Sequence, residues 1–94
     1  MPTYIIEREV PGASALTDEE LRGITTKSND TVADLGRPYT WRYSYVAGDK
    51  IYCVHEAENE DVIREHASRG GFPANLVAEI ATTFGSNGPR ELPV

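Results

Sequence analysis

Apolar positions along this chain change their period several times, and each change marks a structural element. From Thr3 to Val10 β-forming residues crowd the start, and Pro11-Gly12 closes the run, which predicts a first strand. Thr17-Asp18-Glu19-Glu20 has the form of a capping box, with a Thr side chain for the first free amides and a Glu one turn on to reach back. Leu21, Ile24, Val32 and Leu35 then recur at helical spacing, with the small polar Ser28 filling the gap in the stripe. Gly36-Arg37-Pro38 ends that helix. Tyr39 to Val46 predicts a second strand, on which Trp41, Tyr43 and Tyr45 share one face and Arg42 and Ser44 the other. Ala47-Gly48-Asp49-Lys50 reads as a tight hairpin turn. Ile51 to Ala57 reads as a third strand with Ile51 and Cys53 on one face and Tyr52 and Val54 on the other, the pattern of a central strand covered on both sides. Asn59 caps a second helix running from about Glu60 to Arg69, with Val62, Ile63 and Ala67 on its apolar side and Gly70-Gly71 as its stop. After Phe72-Pro73, Leu76 to Thr83 reads as a fourth strand. Residues 85–94 are rich in Gly, Pro and polar groups and read as a flexible tail after a single domain over 1–84.

The order β-α-β-β-α-β predicts an α+β, ferredoxin-like sandwich: a four-stranded antiparallel sheet in spatial order 4-1-3-2, with both helices on one face. The opposite face carries one apolar set of the third strand and has no helix to cover it. An apolar sheet face does not stay in water, so it is expected to be a homodimer interface or the wall of a pocket between two sheets.

Size and charge narrow the function. A domain of 94 residues buries a modest core of its own, so a second copy would help it. The net charge is −6, and the basic residues are scattered, which argues against nucleic acid and against an anionic membrane surface. The one cysteine permits no internal disulfide. The N-terminus lacks the pattern of a signal peptide, no apolar run is long enough to span a bilayer, and a cytoplasmic location is expected.

The candidate chemistry is sparse. Cys53 and His55 leave the same face of one strand and could share a metal ion, with further ligands from Glu7, Glu9, His66 or a second subunit; a lone cysteine in an apolar strand is more often a small core residue. His66 follows Val62 by one helical turn and points to the sheet or its border, as a ligand, a general base or a satisfied structural histidine. Glu7 and Glu9 share a face of the first strand with Arg8 opposite, as a carboxylate pair or as solvated residues of a fraying end. Trp41, Tyr43 and Tyr45 form an aromatic stripe suited to a subunit interface or to a pocket wall, and Tyr52 joins them as a candidate for that face. Phosphate-binding loops, zinc-protease motifs and nucleophile elbows are absent. Lys50-Ile51-Tyr52-Cys53-Val54 lacks the glycines of an RNA-recognition third strand.

Trp41 with Ser44-Tyr45-Val46, Asp49-Lys50-Ile51-Tyr52-Cys53-Val54, Glu56-Ala57, Ile63 with Glu65-His66-Ala67, and Gly71-Phe72-Pro73-Ala74 together resemble a family of small bacterial proteins. That family is related to the nickel-binding, nickel-responsive proteins of actinomycetes. The resemblance implies a ferredoxin-like sandwich, a homodimer and, in the nickel-binding branch, nickel held by nitrogen and oxygen donors. Glu65 and His66 match the family's Glu-His pair in the second helix, and Cys53 matches its third-strand cysteine. The nickel-binding branch has paired histidines in the first strand where this chain has Glu7-Arg8-Glu9, and many relatives have a histidine where it has Tyr43.

Two readings of function stand ahead of a purely structural role. One is a non-enzymatic protein that binds a divalent transition metal such as nickel through His66 and His55, with Cys53 or carboxylates from Glu7, Glu9 or Glu56. The other is a small-molecule binder or small enzyme with a pocket lined by Trp41, Tyr43, Tyr45 and His66.

Overall fold

The computed structural model describes residues 1–89. Strand β1 (Thr3–Glu9) leads through a single 3-10 turn (Ala13–Ala15) to helix α1 (Asp18–Leu35). A hairpin of β2 (Tyr39–Ala47) and β3 (Lys50–Ala57) follows, then helix α2 (Glu60–Gly70) and strand β4 (Leu76–Glu79). The strands lie in the order β2-β3-β1-β4, and β1 pairs antiparallel with both β3 and β4. This is the ferredoxin-like order expected from the sequence.

The helix ends follow the local chemistry. Thr17 accepts from the Glu20 amide while the Glu20 carboxylate takes the Thr17 amide, so the capping box is complete. Asn59 accepts from the Val62 amide at 3.1 Å. Gly36 and Gly71 stop the two helices in the left-handed conformation that costs glycine least.

Alternation sorts the sheet's side chains. Tyr4, Ile6 and Arg8 of β1 and Ile51, Cys53, His55 and Ala57 of β3 are buried on the helix side. The opposite side presents cross-strand rows: Tyr43, Val54, Ile5 and Ala78, then Tyr45, Tyr52, Glu7 and Leu76. The expected single stripe of Trp41, Tyr43 and Tyr45 is broken. A bulge at Arg42 shifts the register, so Trp41 lies opposite His55 while Tyr43 lies opposite Val54. An extra residue in one strand exchanges the faces of everything after it. Trp41 therefore joins the helix side with Ser44, and Tyr43 and Tyr45 stay on the open side.

Two other boundaries differ from the expectation. β4 ends at Glu79, not at Thr83, because its partner β1 begins at Thr3 and the ladder closes with the Ile80 amide on the Thr3 carbonyl. Past it, Phe84–Gly85 and Gly88–Pro89 pair as a small hairpin of strands β5 and β6. The tail expected over 85–94 thus begins in that hairpin, and its last residues, 90–94, lie outside the described ones.

The turn after α2 brings Phe72 back over the helix. A Cβ at Gly70 would stand 2.3 and 2.5 Å from the Phe72 ring. The bare glycine is what lets the ring settle there. Gly70→Ala is expected to displace Phe72 and lower stability by about 1–3 kcal/mol, measured by urea denaturation. An unchanged midpoint would show that the ring has room to move.

Candidate functional site

The first half of α1 stands off the sheet. Along that helix only Ser28 and Leu35 are buried, while Leu21 and Ile24 are half-exposed. Between them and the sheet lies a cavity of about 380 Å³, the size of a small-molecule site. Leu21, Ile24, Trp41, Val46 and Ile51 supply its apolar wall, and Arg8, Ser28, Ser44, Cys53, His55 and His66 its polar atoms.

His55 and His66 are almost completely enclosed, at 1% and 0% exposure. The His66 ring lies between those of Tyr39 and Phe72, stacked at centroid distances of 4.9 and 5.5 Å. His55 meets it edge-on at 5.3 Å. The Tyr39 hydroxyl lies 2.5 Å from His55 Nδ1. Its proton has no other acceptor among the described residues, so Tyr39 is assigned as donor, which leaves the His55 proton on Nε2. Ser28 Oγ lies 3.1 Å from His66 Nε2. His55 Nε2 and His66 Nδ1 are buried with no hydrogen-bond partner among the described residues.

Both imidazoles are held neutral. Burial, and then the positive charge of Arg8, push His55 down from 6.5 to about 3 and His66 to about 4. Burial also raises the Tyr39 hydroxyl, which therefore stays protonated as the donor to His55.

Arg8 is the unexpected member. It is 5% exposed. Its Nε donates to Cys53 Sγ at 3.4 Å, its Nη1 donates to the Pro73 carbonyl at 2.6 Å, and its guanidinium lies 5.5 Å from the centre of the Phe72 ring. Among the described residues no carboxylate pairs with it. Cys53 also accepts from Ser44 Oγ at 3.0 Å, and Ser44 accepts from Trp41 Nε1 at 2.9 Å.

The sheet divides the residues that the sequence nominated. His55, His66, Cys53 and Trp41 come together at the cavity. Glu7, Glu9 and Glu56 leave the other face: Glu7 pairs with Lys50 at 3.4 Å, Glu9 is exposed beside Asn75, and Glu56 pairs with Arg42. Tyr43, Tyr45 and Tyr52 lie on that open face too. Glu65 turns from its neighbour His66 to Arg69, at 2.7 Å. Among the described residues no three of His, Cys, Asp and Glu come close enough to hold a metal ion. Of the residues expected to line an aromatic pocket, Trp41 and His66 line the cavity between helix and sheet, and Tyr43 and Tyr45 do not. Sequence reasoning missed Arg8, Tyr39 and Phe72. Arg8 was legible as sharing the alternation of the core residues Tyr4 and Ile6; Ser28 was visible as the polar break in the α1 stripe.

The fold and the buried histidine pair define a ferredoxin-like α+β protein with an internal cavity. The chain belongs to the SCO4226-like family, described as nickel responsive protein SCO4226-like, whose model matches residues 4–80. The crystal structure of SCO4226 from Streptomyces coelicolor A3(2) has the same fold, with a TM-score of 0.71 at 17% identity, covering 86% of this chain and 98% of that one. No curated protein sequence matches the chain. Among the described residues no helix is long and apolar enough to cross a membrane.

Neutral buried imidazoles make stability depend on pH. Above pH 6.5 both the folded and the unfolded chain hold them uncharged. Below it the unfolded chain takes up protons that the folded chain refuses until pH 4 to 3. Stability is therefore complete above pH 6.5 and is lost as pH falls, by about 2 kcal/mol for each imidazole at pH 5. Urea titrations between pH 7 and 5 check this, and His55→Gln should remove about half of the histidine share. A flat profile would show that the imidazoles charge freely in the fold.

Proposed function

We propose that this is a small-molecule-binding protein whose ligand site is the cavity between α1 and the sheet. One observation carries the reading. Polar side chains that globular cores rarely enclose, two imidazoles and a guanidinium, are gathered at one apolar-walled cavity of ligand size. Toluene titrated into ¹⁵N-labelled protein is expected to shift the amides of Ser28, Ser44 and Cys53 saturably. Thr25→Trp, which places an indole in the cavity mouth, should suppress the shifts. Toluene shifts that are absent, or spread over the surface, would remove the reading.

A second reading is supported by family membership and by the chemistry of the pair. A metal ion binds neutral imidazole, and the rings of His55 and His66 meet edge-on with His55 Nε2 and His66 Nδ1 unpartnered among the described residues. Nickel would take these two nitrogens, with Cys53 at the same cavity. Carboxylates Glu7, Glu9 and Glu56 would be on the far side of the sheet, and the Arg8 charge opposes a cation. These two facts put the metal second.

We also read the open sheet face as a homodimer surface. Ile5, Tyr45 and Leu76 expose apolar side chains on that one face at 37%, 51% and 47%, and a grouped exposed apolar patch marks interaction surfaces. One measurement addresses metal and assembly together: the native mass of tag-free protein dialysed against nickel, with elemental analysis. A dimer is expected. Nickel that stays with the wild type and leaves the His66→Ala variant would promote the metal reading; nickel retained equally by both would eliminate His66 as a ligand.

A further inference from the structure

The cavity has a sign opposite to that of the molecule around it. The chain has 15 acidic residues against 9 basic ones, yet no Asp or Glu lines the cavity, while Arg8 does. A guanidinium carries a permanent positive charge, and burying one without an anion is unfavourable. Arg8 meets a cysteine sulfur, a carbonyl oxygen and an aromatic face, and no carboxylate among the described residues. Nη2 makes no hydrogen bond among the described residues. The two neighbouring imidazoles bring no negative charge either. No carboxylate of the described residues offsets the Arg8 charge at this cavity.

We infer that the cavity takes a small monocarboxylic acid with an apolar, ring-sized body, its carboxylate set on the Nη2 edge of Arg8. This rests on the cavity being a ligand site and goes further by naming the ligand class. Three observations select it. A single positive charge is balanced by a monoanion, and a dianion such as a phosphate monoester would leave charge unmatched in a place with few other donors. Leu21, Ile24, Val46, Ile51 and Trp41 form an apolar wall that suits a hydrocarbon body. Arginine to carboxylate is a charge-assisted contact, about twice as strong as a neutral one, and burial strengthens it further.

Trp41 is the chain's one tryptophan and lines the cavity, so its fluorescence reports what enters. The probes are phenylacetate and phenylacetamide, which share shape and differ in charge. Phenylacetate is expected to change Trp41 emission saturably, with a dissociation constant about tenfold or more below that of phenylacetamide. Arg8→Met keeps an unbranched stem of four heavy atoms and removes the guanidinium with its charge; in that variant the two probes should bind alike. The wild-type comparison stands by itself if the variant does not fold. Equal binding of both probes to the wild type, or a preference that survives Arg8→Met, overturns the carboxylate assignment and leaves the cavity as a ligand site. Failure of both probes to move Trp41 overturns the assignment and the cavity reading together.

Discussion

Two uncharged imidazoles hold the helices to the sheet. His66 comes from α2, accepts or donates at Ser28 of α1, and stacks between Tyr39 of β2 and Phe72 of the following turn. His55 comes from β3 and is held at its other nitrogen by Tyr39. Every layer of the fold meets at this pair. The arrangement works while both rings are neutral, because a charged ring here would face a guanidinium and have no carboxylate to balance it. Polar atoms enclosed this deeply are high-stakes: they specify one arrangement when satisfied and weaken it when not. Two of the four ring nitrogens are hydrogen-bonded and two are not, among the described residues. A fold made only for stability would have little reason to keep that imbalance.

The sheet acts as a partition for function. Alternation puts Arg8 among the buried histidines and sends Glu7 and Glu9, its immediate neighbours, to the opposite face. Cation and carboxylates that are adjacent in sequence thus serve different surfaces. The helix side is enclosed, positive and apolar-walled. The open side carries tyrosines, aliphatic residues and the ion pairs of Glu7 and Glu56. This division is the reason the proposed organic ligand is ranked ahead of a metal, within a family whose description speaks of a response to nickel. The two are separable: the metal reading depends on the ring nitrogens, and the carboxylate reading on Arg8.

Much of the architecture was legible along the chain. The capping box at Thr17, the Asn59 cap, the glycine stops and the hairpin around Gly48 are local chemistry, and local chemistry is written in adjacent residues. The double-sided apolar pattern of β3 announced a central strand, and β3 lies between β2 and β1. Helical position announced that His66 faces inward. The pairing of Cys53 with His55 on one face was likewise a matter of period two.

What the sequence could not disclose depends on distance in the fold. The bulge at Arg42 adds one residue to a ladder, and nothing in Trp41-Arg42-Tyr43 alone tells which face follows it; the partner strand decides. Arg8 reads as a charged residue between two glutamates until β3 and the 72–75 connector close around it. The cavity exists because α1 meets α2 at Ser28 and stands away from the sheet at Leu21 and Ile24, a spacing set by packing between elements. The chain by itself determined the two helices, the four main strands, their order and the inward turn of His66, since each follows from neighbours within a turn or a strand; which face His55 and Cys53 take was left to the register. Tertiary structure alone decided which of the charged and aromatic residues meet, because contacts between residues far apart in sequence depend on register and on the gap between layers.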